Sequence, residues 1–248
     1  MAVAATTDEQ VPASVWEEVR RPAVHLASAV WAGIITGGLI GGVGGRLAMF
    51  VLRLTSDPSL HGVETDDGFL IGSFTGSMVF LFILCVITGT VGALFYLVIR
   101  SWFPRAYRAP GMAIFMGAFG GATIIKPDGI DFTLVEPHAL SVVFFIALPA
   151  LYGYTVSVLT ERFLDRKEER GRPWSSAAAI LPLLGLGVLG PFGIIVLAVA
   201  FAGWMLARKF PLNDIWHSRK VTVAARAVLA IVTCAMLATL VADIGAVV

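Results

Sequence analysis

Charge is scarce in this chain. Only 14% of its 248 residues are Asp, Glu, Lys or Arg, against about a quarter in an ordinary soluble domain. A soluble core has no use for so much apolar surface, so a water-soluble globule is excluded. Cysteine is scarcer still: Cys85 and Cys234 both fall inside apolar runs, where a thiol behaves as a small hydrophobe and reports nothing about redox compartment. The chain lacks HExxH, an EF-hand pattern, CxxC and GxSxG, so the short-range signatures of zinc proteolysis, calcium binding, thiol redox chemistry and serine hydrolysis are missing. The net charge of +1 gives no support to a nucleic-acid partner. The segment "GLGVLG" (185–190) matches a dinucleotide fingerprint letter for letter, but that motif needs a preceding strand and a soluble helix, and here it sits in an apolar run.

What the chain has in abundance is long hydrophobic stretches, at about 24–54, 76–99, 112–125, 138–160, 175–207 and 221–242. Several reach the roughly 20 residues that cross a hydrocarbon layer of about 30 Å. The polar connections between them are sorted by charge. Arg20 and Arg21, Arg100, Arg105 and Arg108, Arg162 to Arg172, and Arg208 to Lys220 flank alternate ends, and of the 18 basic residues all but Arg46, Arg53 and Lys126 fall on that one side. The positive-inside rule makes this side cytoplasmic. The connections 55–77 and 126–138 carry Asp57, Glu64, Asp66, Asp67, Asp128, Asp131 and Glu136 against the single Lys126, and they face outward.

The start carries Asp8, Glu9, Glu17 and Glu18 ahead of its arginines, which a cleavable signal would not. Residues 1–22 therefore read as a cytoplasmic tail and interfacial segment, and 23–248 as a single transmembrane domain with acidic outer loops. The run 175–207 is flanked by basic residues at both ends, so the chain enters and leaves on one side. Gly190-Pro191 is the natural break, since proline removes a helix donor, and the run forms a hairpin or a re-entrant pair. The expected fold is thus an all-α polytopic transmembrane helix bundle of about seven membrane segments. Its amino terminus lies inside the cell membrane and its carboxyl terminus outside.

The first run is rich in glycine, "GIITGGLIGGVGGRLAM". In lipid, helices associate through close backbone approach, which small residues four apart permit. Ala29, Gly33, Gly37, Gly41 and Gly45 fall on one ridge, with Gly38 and Gly42 beside it. Cys85, Gly89 and Ala93 on the second run, and Ala113, Gly117 and Gly121 on the third, repeat the spacing. Helix packing through Gly33, Gly37, Gly41, Gly45, Gly117 and Gly121, with the first helix central, is the expectation. Kinking, or room for a substrate, is the alternative.

The concentrated ionisable groups lie on the outer side. Arg46 and Arg53 run against the positive-inside tendency, and pairing with Asp66, Asp67 or Glu136 would account for them. Together with Glu64, Lys126, Asp128, Asp131 and His138 they form a candidate outer polar site. Carboxylates with imidazole suit a divalent cation, although solvated turns explain the same residues, so the metal stays unknown. His138 precedes Ser141 by one helical turn, a spacing at which the two side chains can meet. His25 and His138 fall on opposite sides and cannot share one haem, the middle of every span is free of charge, and the cofactor stays unknown. Thr36, Thr88, Thr90, Tyr152 and Tyr154 are the polar groups at depth, expected to bond helix to helix.

The stretches "GGRLAM", "GVETDDGF" and "IGSFT" (44–49, 62–69, 71–75) resemble a group of uncharacterised bacterial multi-pass membrane proteins. The resemblance implies membrane residence and carries no activity. The resulting expectation is a non-catalytic integral membrane protein. It would be a subunit or assembly partner of a membrane complex or a homo-oligomer, in contact with membrane lipid and docking through acidic outer loops. A small transporter or channel-like protein with an outer cation-collecting site is the alternative, and a membrane enzyme trails both.

Overall fold

The computed structural model describes residues 15–57, 77–127, 129, 132, 137–169, 190, 193–196, 198, 202, 203, 205, 206, 214 and 216–247. Among them there is no strand; the regular elements are helices. The first rod is α1 (Val15–Thr36), which continues without a break through a π-helical segment, Gly37–Gly44, into α2 (Gly45–Thr55). Then follow α3 (Ser77–Ile99), the 3-10 turns Arg100–Trp102 and Arg105–Tyr107, α4 (Arg108–Ile124), α5 (His138–Glu169) and α6 (Arg219–Val247). Four helices are long and apolar enough to cross a membrane: Pro22–Thr55, Val79–Trp102, His138–Asp165 and Arg219–Val247.

The glycine run explains the geometry of the first rod. Eight residues with five glycines, "GGLIGGVG", relax into π turns, whose bonds reach five residues back instead of four. The exit is marked by the Gly45 N–H, which meets the carbonyls of Ile40, Gly41 and Gly42 together. α2 stops cleanly at Ser56, whose backbone turns extended and whose N–H and hydroxyl both donate to the Leu52 carbonyl, at 3.0 and 2.6 Å. Those bonds satisfy groups that a helix end otherwise leaves orphaned.

This rod crosses α3 backbone to backbone. A Cβ added at Gly33 would lie 2.5 Å from the Thr90 Cα, one at Gly37 would lie 2.5 Å from the Cys85 carbonyl oxygen, and one at Gly89 would lie 2.5 Å from the Gly37 Cα. Gly41 abuts the Cys85 side chain, and Gly42 abuts the Phe82 ring. Gly45, expected on the same ridge, has open space beside it. The π segment supplies the reason: each residue in a wider turn sweeps a smaller angle, so a ridge drawn at four-residue spacing drifts off the contact face. On the other side, α4 lies against α5. Gly117 faces Ala150, Gly120 accepts the ring of Pro149, and Gly153 sits on the Met112 carbonyl. Gly121 meets Leu240 of α6.

The first span is the most enclosed, with 56% of its most apolar stretch buried, against 28% for the spans of α3 and α5 and 6% for α6. Four such helices stand among the described residues, and the expected seven segments are not confirmed by them. α4 has 17 residues, a rise of about 25 Å, at the lower limit of length for crossing the hydrocarbon core. Most of 175–207 lies outside the described residues. Within it Gly190 adopts φ +55°, and the Gly193 N–H closes a turn onto its carbonyl at 3.1 Å. Glycine takes that left-handed conformation without steric cost.

Candidate functional site

Six of the expected outer residues, Glu64, Asp66, Asp67, Asp128, Asp131 and Glu136, lie outside the described residues. The other four are spread over three elements. Arg46 is half-buried in the first turn of α2. One terminal nitrogen sits 3.9 Å from the Met49 sulfur and the other is enclosed without a partner among the described residues. Arg53 and Lys126 are exposed, and His138 opens α5. His138 and Ser141 do not act as a pair: Ser141 is fully buried and its hydroxyl has no hydrogen-bond partner among the described residues. No group of three metal-ligating side chains gathers among the described residues.

The polar groups at depth also behave differently from expectation. Thr36, Thr88 and Thr90 donate to the carbonyls of Ala32, Leu84 and Val86, four residues back on their own helices, at 2.6, 2.5 and 2.8 Å. A β-branched hydroxyl reaches that carbonyl from an ordinary helical rotamer, so it is satisfied without a neighbour. Tyr152 alone of the five bonds across helices, its phenol donating to the Gly89 carbonyl at 2.5 Å. It thereby ties α5 to the point where α3 crosses the first rod. Tyr154 is exposed.

The concentrated ionic site lies at the other end of the bundle, and the sequence pattern did not single it out. Glu161 on α5 receives the Tyr96 hydroxyl on Oε1 at 2.9 Å, the Arg100 Nε on the same oxygen at 3.1 Å, and an Arg108 terminal nitrogen on Oε2 at 2.7 Å. Three elements thus converge on one carboxylate. Tyr96 and Arg100 stand one turn apart at the end of α3, and Arg108 is the first residue of α4. The three charged side chains keep only 15–22% of their surface exposed, and Tyr96 keeps none. Charge-assisted bonds of this kind are short and strong.

The α6 helix joins the same end. The Arg226 Nε donates to the Trp102 carbonyl at 2.6 Å, and the Trp102 and Trp216 rings lie 4.8 Å apart. Beside Glu161 a cleft of about 240 Å³ opens between the α4 amino end and α5, lined by Tyr96, Arg105, Arg108, Ser157, Arg162 and Asp165 among others. The signal that would have found this site is Glu161 itself, an acid inside the apolar–basic boundary of a span whose neighbours at that end are arginines. No family model, curated protein or solved structure matches the chain, so the site is read from its own geometry.

Proposed function

We propose that the chain is a non-catalytic integral membrane protein that works as a subunit of a membrane complex, with its helices as the docking surface. It has about seven membrane segments in the cell membrane, amino terminus inside and carboxyl terminus outside. Its acidic outer loops add a polar docking face. The observation that carries the reading is the outer face of α6. Ala230, Cys234, Ala238 and Ala242 stand four apart and exposed on a helix whose apolar stretch is 6% buried. The same spacing draws the glycine rod against α3, and small-residue ridges are what membrane helices use to approach one another.

Extraction in mild detergent followed by native mass measurement tests this. The complex should exceed the 26.4 kDa of one chain and should revert to that mass when Ala238→Leu and Ala242→Leu block the ridge. A wild-type protein that runs as one chain overturns the reading. The transport alternative draws on the π segment, since such turns recur at functional sites in helices. It requires water to reach Arg46, which impermeant thiol labelling of Arg46→Cys reads directly.

A further inference from the structure

We propose that the cleft beside Glu161 binds a phosphate-bearing anion, and that its place in the fold makes an anionic lipid headgroup the occupant. Three arginines line it, Arg105, Arg108 and Arg162. Arg105 and Arg162 are exposed at its rim and make no ion pair among the described residues. Arg108 gives one nitrogen to Glu161, while its Nε is buried without a partner among the described residues. A planar guanidinium is the side chain best matched to phosphate oxygens, because it offers parallel donors in a fixed fork.

The acids in the cleft do not favour a cation. Both oxygens of Glu161 are occupied, Oε1 by Tyr96 and Arg100 and Oε2 by Arg108. That leaves Asp165 at the rim, which has no bonded partner among the described residues. The amino end of α4 forms a wall through Ala109, and its N-cap Tyr107 makes no side-chain capping bond. A helix start adds partial positive charge to an anion site built by other groups. Of the first three residues of α4 only Ala109 has an amide to offer, since the Arg108 N–H donates to the Arg105 carbonyl and Pro110 has none.

Depth selects the source. The apolar stretch of α3 gives way to charge at Arg100 and that of α5 at Glu161, Arg162 and Asp165, so the cleft sits where hydrocarbon gives way to headgroups. Tyr107 is 65% exposed there, and Trp102 packs on Trp216 at the same end, the arrangement of aromatic side chains at a membrane boundary. A volume of about 240 Å³ is below the roughly 300–1,000 Å³ that encloses a drug-sized molecule, and it suits a headgroup whose acyl chains remain in lipid.

The experiment uses the full chain, purified and stripped of lipid in neutral detergent. Native mass spectrometry then follows the uptake of phosphatidylglycerol, of phosphatidylcholine and of inorganic phosphate. Phosphatidylglycerol should bind in preference to phosphatidylcholine, and the exposed double variant R105Q/R162Q should weaken that binding by about tenfold or more. Arg53→Gln, an exposed arginine at the opposite end, should not. Thermal unfolding of each variant in detergent without added lipid separates lost binding from lost folding. If inorganic phosphate binds in an Arg105- and Arg162-dependent way and phosphatidylglycerol does not, the phosphate site stands and its ligand comes from the aqueous side. Lipid uptake unchanged in R105Q/R162Q, together with no phosphate uptake, overturns the proposal.

Discussion

Glu161 shows how one carboxylate can be affordable at the edge of a membrane span. Its two oxygens receive Tyr96, Arg100 and Arg108 from α3 and α4, so deleting its charge frees two guanidiniums from their partner in one step. Removing one member of such a cluster costs more than the pair contributes, because the remaining charges keep their desolvation penalty. With about a fifth of each side chain still in solvent, Glu161→Gln should lower unfolding stability by about 1–3 kcal/mol, the range for bonds to a charged group. Tyr96→Phe removes one bond to the same oxygen and should cost less, about 0.5–1.5 kcal/mol. Denaturant unfolding in mixed micelles measures both. A Glu161→Gln protein as stable as the parent would mean that the cluster is solvated in lipid and holds nothing. Tyr152 makes a different kind of bond, neutral and onto backbone, and Tyr152→Phe should loosen the α5 contact with Gly89 by roughly 1 kcal/mol.

At the scale of elements, the glycines divide by what stands opposite them. Gly37 and Gly89 face backbone atoms that cannot move aside, so Gly37→Ala or Gly89→Ala must push α3 away from the first rod. Large losses are expected there, comparable to the 1–3 kcal/mol of overpacking a core. Gly45→Ala meets open space and replaces the helix residue of greatest backbone entropy, so its stability should be unchanged or raised by up to about 1 kcal/mol. Melting temperatures of the three variants in one detergent decide the matter, and equal losses at Gly37 and Gly45 would refute the division. Much of this was legible in the letters. The four-residue spacing marks Gly33, Gly37 and Gly41, and the matching Gly89, as residues that permit close approach. The π segment was not legible, because the spacing assumes four-residue bonding and nothing in "GGLIGGVG" states which carbonyl each amide will choose. Gly45 is where that assumption fails.

For the molecule as a whole, charge sorting carried more than periodicity did. The order of the basic connections along the chain puts them on one side, and the fold brings Arg100, Arg105, Arg108, Glu161 and Arg226 to one end of the bundle. The Glu161 cluster was hidden because the partners of Glu161 lie 53 to 65 residues before it in sequence, and each arginine has an ordinary explanation as a membrane-flanking charge. Only the approach of α3, α4 and α5 shows that they share a partner. Which face of the membrane that end occupies follows from the arginines alone, and it can be tested directly. With both native cysteines replaced by alanine, Asp57→Cys and Lys126→Cys should react with an impermeant thiol reagent added outside intact cells. Ala106→Cys, exposed at the arginine end, should react only after the cells are opened. The reverse pattern would place the Glu161 cleft in the outer leaflet and invert the topology. Labelling of all three from outside would mean that α3 and α4 do not separate their ends across a bilayer.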